Sequence, residues 1–257
     1  GKVVYERYFG NYDENTSLAI ASSTKWLSGA ALMTLVDDGL ISLDDPLSKY
    51  LPEFNGEKAR ITIRQAFSHT SALGKVDGDG AWRRSTSTAE YARQVAKQPL
   101  EAEPGTELRY ASESMQVVGA IAEQVTGKRW EVLFHERIAG PLTMSNTGYS
   151  QTGEAINPML AGWAHSTVRD FARFLEMLIA KGRYDGHQVL SAQAIRVMHA
   201  NQVGDVPITQ GSRGRRASQS RYGIGNWVDE TDAKGDSNLN SSPGALGMRP
   251  WIDWDDN

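Results

Sequence analysis

The sequence predicts an α/β (α+β) fold whose strands come from the two ends of the chain and whose helices fill the middle. Three observations carry this. Residues 2–9 are a β-branched and aromatic run, the segments between about 22 and 182 place apolar residues at helical spacing behind helix-start signals, and the texture after about residue 203 turns to Gly, Ser, Asn and Asp.

The first element is a strand at Val3–Tyr8, stopped by the turn pair Gly10-Asn11. A helix comes next, from Ser22 or Ser23 to Asp38. Leu27, Ala30, Ala31, Leu35 and Val36 recur on it, Gly39 stands where a C-terminal cap belongs, and its apolar content predicts burial. Thr62 with Gln65, and Ser87 with Glu90, have the spacing by which a hydroxyl and a three-residue-distant side chain satisfy the free N–H groups of a first turn. Trp130, Leu133, Phe134 and Ile138 form one apolar face before Gly140-Pro141. Thr167 with Asp170 opens a further helix, with Val168, Phe171, Ala172, Leu175 and Leu178 as its inner face and Gly182 as its stop. Two strand-like pieces, Tyr222–Val228 and Leu246–Ile252, complete the set. The distribution predicts a discontinuous sheet domain, residues 1–44 and 161–257, and a helical domain over 45–160 inserted between its halves.

Composition narrows the function classes. With 257 residues, 40% of them hydrophobic and 23% charged, the chain has the make-up of a folded globular protein. A net charge of -4 offers no basic field for a phosphate backbone, which argues against nucleic acid as a partner. The basic cluster Arg213, Arg215, Arg216 and Arg221 sits among Gly, Ser and Gln and reads as a solvated loop. Cys is absent, which excludes disulfides, a thiol nucleophile and thiolate metal sites but leaves the compartment open. No run approaches the roughly 18 apolar residues of a membrane-spanning helix, so the chain reads as soluble.

Ser22-Ser23-Thr24-Lys25 is an S-x-x-K motif at the start of the apolar helix. Three residues are just under one turn, so Ser22 and Lys25 share a face. A lysine there, desolvated by an apolar wall, can lose its proton and act on the hydroxyl, while the helix N-terminus favours an anion forming at Ser22. A hydroxyl cap beside a solvated lysine would give the same four letters, so the motif gains weight only from the stretches downstream of it.

Ile20-Ala21-Ser22-Ser23-Thr24-Lys25 resembles the first motif of the serine β-lactamase and D,D-peptidase superfamily, in the branch of class C β-lactamases and family VIII carboxylesterases. Ile63 to Ser71, Pro104-Gly105-Thr106 leading to Tyr110, and Gly140-Pro141-Leu142-Thr143-Met144 resemble later stretches of that branch in the same order. The resemblance implies a β-lactamase/D,D-peptidase-like fold, an antiparallel sheet flanked by helices with the helical insertion already predicted, and the active site at the interface of the two parts. Set against the family's pattern, the residues given are expected to lack its first and last sheet segments.

The resemblance implies an acyl-enzyme hydrolase with Ser22 as nucleophile and Lys25 and Tyr110 sharing its proton, without a cofactor or metal. Where the family's second motif reads Tyr-x-Asn, this chain has Tyr110-Ala111-Ser112, and Ser112 reads equally as a site residue or as a helix cap. Where the third reads Lys-Thr-Gly or His-Thr-Gly, it has Ser242-Pro243-Gly244. The missing cation, which would hold a substrate carboxylate, predicts a neutral ester or small-amide substrate. Gly244 lets substrate approach, and the Ser22 and Ala245 N–H groups form the expected oxyanion hole. His69 reads as a structural loop residue, and His135, His165, His187 and His199 as surface or packing residues. A β-lactamase or D,D-peptidase is the alternative enzyme, and a non-catalytic binding or scaffold protein on this fold is the alternative outside enzymes.

Overall fold

Every residue from Thr24 to Leu35 of helix α1 (Thr24–Asp37) is buried, so the helix that starts at the S-x-x-K motif is the centre of the core. It has no solvent-facing stripe because it is enclosed on all sides. α7 (Ala192–His199), α5 (Trp130–Phe134) and the π-helical turn His135–Ala139 that continues α5 all pack on it. Gly39, at φ 70, ends α1 as its spacing predicts, with the Leu40 N–H reaching back to Leu35. The computed structural model describes residues 3–76, 85–150, 156–210 and 221–255. Arg213, Arg215 and Arg216 of the basic cluster lie outside them.

The middle of the chain is helical. Thr62 closes a reciprocal capping box with Gln65 at the start of α2 (Ile63–Phe67), and the Ser87 hydroxyl accepts from Glu90 N–H at the start of α3 (Thr88–Lys97). α4 (Glu113–Thr126) packs on both α2 and α3 and ends at Gly127, φ 65. Thr167 caps α6 (Val168–Ile179) on the N–H of Asp170. The buried face of α6 is Phe171, Phe174, Met177 and Leu178, while Val168, predicted inside, is exposed. The helix is turned by Asp170, whose buried carboxylate accepts from the Asn146 N–H and the Thr147 hydroxyl and pairs with Arg173. A partnered carboxylate displaces an aliphatic residue from the inner face.

The sheet is four-stranded and antiparallel, in the order β10 (Trp251–Asp253), β9 (Ser237–Ser241), β8 (Trp227–Thr231), β7 (Arg221–Tyr222). Two expectations are corrected here. Tyr222–Val228 is not one strand but the hairpin of β7 and β8, pairing Tyr222 with Trp227 across a Gly223–Asn226 turn. Val3–Tyr8 is not a strand of this sheet: Val3, Val4 and Tyr5 are exposed, no ladder partner adjoins the segment among the described residues, and Glu6 instead ties it to α6 through Arg169. β-propensity measures fit to a half-buried pleated surface, and without a neighbouring strand the same residues form no ladder. Before α1, β1 (Leu18–Ala19) pairs with β3 (His165–Ser166), and β2 (Leu108–Arg109) runs parallel to β6 (Ile208–Gln210). The small hairpin β4 (Arg183–Tyr184) and β5 (His187–Gln188) lies beyond α6.

The 223–226 turn fixes the sheet against α1. Gly225 is at φ 83, and a Cβ there would stand 2.1 Å from the Lys25 carbonyl oxygen, so only glycine permits this backbone-to-backbone approach. No helix among the described residues is long and apolar enough to cross a membrane.

Candidate active site

The chain enters α1 through the 3-10 turn Ala21–Ser23, with Ala21 at φ 47. A non-glycine residue held left-handed immediately before a candidate nucleophile is a local strain of the kind that concentrates at functional sites. Three hydroxyls come next in a row, and two are engaged in structure. Ser23 donates to the Ser242 carbonyl at 2.6 Å, and Thr24 donates to the Ala21 carbonyl at 2.6 Å while accepting the Ala164 N–H. Half-buried Ser22 is the one whose Oγ receives a hydrogen bond from Lys25 Nζ, at 3.3 Å.

Lys25 is 1% exposed. Its Nζ also donates to the Ala161 carbonyl at 2.6 Å and sits 4.6 Å from the centre of the Tyr110 ring. The carbonyl is presented by a clamped loop. Gln116 of α4 accepts the Leu160 N–H through Oε1 and donates through Nε2 to the Pro158 carbonyl and the Asn157 side chain, while Ser28 of α1 donates to the Leu160 carbonyl. Composition and spacing carry no signal for Gln116, an ordinary helix residue made specific by the turn opposite it.

Tyr110 comes directly after β2, with its N–H on the Gln210 carbonyl at 2.6 Å. Its half-buried ring stacks on Trp227, centroids 5.5 Å apart at 18°, and turns one face to Lys25. Tyr110 therefore meets the lysine through its π-face. Ser112 stands at the N-cap of α4, but its hydroxyl accepts no first-turn N–H, so the capping alternative fails.

The segment after β9 runs along the nucleophile turn. A Cβ on Gly244 would lie 2.1 Å from the Ile20 carbonyl oxygen and 3.2 Å from Ser23 Oγ. Ser242, 3% exposed, turns its hydroxyl inward to the Ser22 and Gly225 carbonyls. Ala245 is exposed in the turn closed by the Gly244 N–H on the Met248 carbonyl at 2.7 Å. Among the described residues no backbone carbonyl takes the N–H of Ser22 or Ala245.

His69 reads from sequence as structural, and the structure places it beside these residues. Its ring centroid is 4.5 Å from that of Tyr110 and 4.7 Å from that of Tyr222. Burial first, and the nearby Lys25 charge second, hold its imidazole well below the usual range. A signal for it exists in the Ile63–Ser71 stretch, but a lone loop histidine has no periodicity to separate it from packing. His199 is a packing histidine as expected, buried between Trp26 and Trp254. His135 and His187 are exposed, and no group of three or more His, Asp or Glu that could hold a metal occurs among the described residues.

Comparison with known proteins bears on this arrangement. A solved structure from Bacteroides dorei DSM 17855, put forward as a β-lactamase, superposes with a TM-score of 0.89 at 31% identity, covering 99% of this chain and 79% of that one. Esterase EstB of Burkholderia gladioli is 31% identical over 175 residues, 58% of this chain and 44% of its own length. The D-alanyl-D-alanine-carboxypeptidase/endopeptidase AmpH of Escherichia coli K12 is 27% identical over 192 residues, 64% of this chain and 49% of its own. The first curated relatives are spanned over 33% to 61% of their lengths. The fold is the α/β one of β-lactamases, family VIII carboxylesterases and penicillin-binding protein homologues. Because the sequence model of the family matches residues 1–246, nearly the whole chain, this protein belongs to the Beta-lactamase family.

Proposed function

We propose that the protein is a serine hydrolase that cleaves a neutral ester, or a small amide, through an acyl-enzyme on Ser22. The observation that carries this reading is the buried Lys25 amine at 3.3 Å from Ser22 Oγ, with the Tyr110 ring against the same amine. In its neutral form Lys25 accepts the Ser22 proton as Oγ attacks the carbonyl carbon. The proton passes, with Tyr110, to the oxygen of the departing alcohol or the nitrogen of the departing amine. Water then enters by the reverse proton path, and the carboxylic acid leaves. The Ser22 and Ala245 N–H groups serve as oxyanion donors, consistent with neither being taken by a backbone carbonyl among the described residues. Gly244 supports them by its close approach to Ile20, and Ser112 stands at the start of α4 beside Tyr110. The site so read lies between the helical part, residues 45–160, and the sheet part, residues 1–44 and 161–257.

A neutral substrate is favoured because the third-motif position carries no cation and the Ser242 hydroxyl is turned away, onto the Ser22 and Gly225 carbonyls. The named activities of EstB and AmpH fit an ester and a peptide substrate respectively, and the inward hydroxyl weighs for the former. Intact mass after incubation with a fluorophosphonate tests the reading. One adduct, absent in Ser22→Ala, is the expected result, and an unlabelled but folded protein would mean a binding or scaffold role. A panel of short-chain nitrophenyl esters and nitrocefin then separates esterase from β-lactamase.

A further inference from the structure

Two fully buried histidines behave differently. His199 has both ring nitrogens partnered, Nε2 accepting from Trp26 Nε1 at 3.1 Å and Nδ1 facing the Ile195 carbonyl at 2.8 Å. His69, 1% exposed, has one. Its Nδ1 accepts the Ala111 N–H at 3.3 Å, which places the ring proton on Nε2, and Nε2 has no hydrogen-bond partner among the described residues. Its backbone is left-handed as well, at φ 65. A histidine kept for packing has no need of an orphaned donor and a strained backbone together, since both oppose folding.

What His69 holds explains the cost. Its carbonyl accepts the Arg109 N–H at 2.9 Å, its Nδ1 accepts the Ala111 N–H, and its ring lies against the ring of Tyr110. The residues before and after Tyr110 are thus gripped by one side chain and its own backbone, and the left-handed turn lets a single residue reach both. We propose that His69 is a positioning residue for Tyr110: it holds the Tyr110 ring on the Lys25 amine by gripping the N–H groups on either side of it. The proposal rests on the hydrolase reading above.

The test uses three variants and two readouts, Ser22 labelling by a fluorophosphonate and steady-state hydrolysis of a short nitrophenyl ester. H69N keeps an acceptor at the δ position and tolerates the left-handed backbone. H69Q moves the acceptor one bond outward, and H69L keeps bulk without any acceptor. A displacement of about 1 Å at a catalytic group lowers turnover on the order of 100-fold. The expected result is therefore a loss of kcat of about 10- to 100-fold in H69L with KM within about threefold, and recovery to within about fivefold of wild type in H69N. If H69L does not fold, as read by thermal unfolding, H69N must still exceed H69Q by at least about fivefold on the same scale. Equal activity of H69L and wild type, or equal impairment of H69N with H69L or H69Q, overturns the proposal. An unlabelled wild-type protein overturns the hydrolase reading instead, so the two failures are distinguishable.

Discussion

The carbonyl of Ala161 holds the Lys25 amine at 2.6 Å, closer than the 3.3 Å at which that amine reaches Ser22. The 157–161 loop therefore sets where the amine stands, and the hydroxyl is met from that position. Removing the amine in Lys25→Ala should lower kcat by about 10²- to 10⁴-fold, the usual contribution of a placed proton acceptor, with little change in KM. Ester hydrolysis under saturating substrate measures it.

Gln116 acts on the same loop from α4. In Gln116→Leu the Leu160 N–H and Pro158 carbonyl lose their partner inside the core, which destabilises by about 1–3 kcal/mol. Because the loop carries the Ala161 carbonyl, kcat should fall more than KM rises. Urea unfolding with parallel kinetics checks both, and a variant with wild-type kcat and lowered stability would confine Gln116 to a structural role.

Gly225→Ala would set a methyl group 2.1 Å from the Lys25 carbonyl oxygen on a backbone at φ 83. A clash with backbone cannot be relieved by a rotamer, so the sheet must part from α1. The expected loss is at least about 1–3 kcal/mol, the range for overpacked sites. Differential scanning calorimetry reads it as a lowered midpoint.

Acid should destabilise the fold through its buried histidines. Burial pushes His199 from 6.5 down to about 4, against the weaker opposite effect of the Ile195 carbonyl, and His69 is lowered in the same direction. The folded state keeps these rings neutral while the unfolded chain protonates them below its own value near 6.5. Stability is complete above that pH and is lost as pH falls from about 6.5 to about 4, by on the order of 3 kcal/mol for His199 alone. Unfolding midpoints across about pH 4–8 should show this fall, and His199→Gln should flatten it.

Substrate charge should matter at the Ser242–Gly244 segment. A charge-assisted bond to a substrate carboxylate contributes roughly 1.5–3 kcal/mol, and without it an anionic substrate loses about ten- to a hundredfold against a neutral one of similar size. Matched neutral and carboxylated esters should differ in kcat/KM in that direction. Efficient turnover of penicillins with poor esterase activity would refute the argument and make Arg249 the first residue to replace.

The helical middle is legible in the sequence because capping hydroxyls and apolar repeats act locally. Thr62, Ser87 and Thr167 all cap the helices their spacing predicts. Gly39 ends α1 for the same reason. The elements that local sequence misrepresents depend on partners distant along the chain. Val3–Tyr8 has strand-forming residues but no neighbour to pair with among the described residues, and the composition of Tyr222–Val228 conceals the turn that places Gly225 on α1. At the candidate site, the Ser22–Lys25 approach is a consequence of helix geometry and is readable from the spacing. The roles of His69 and Gln116 come from what a loop and a turn bring against them, which no local pattern encodes.

The complete enclosure of α1 also bears on how the molecule breathes. Amide protons from Leu27 to Leu35 can exchange with solvent only when the whole core opens, whereas Ala245, Leu246 and Gly247 stand exposed at the tip of the turn closed by the Gly244 N–H on the Met248 carbonyl. In deuterated buffer, α1 should be the slowest-exchanging element and the rims of the site among the faster ones. Low denaturant should then loosen the rim around Ser22 while the helix beneath it stays intact.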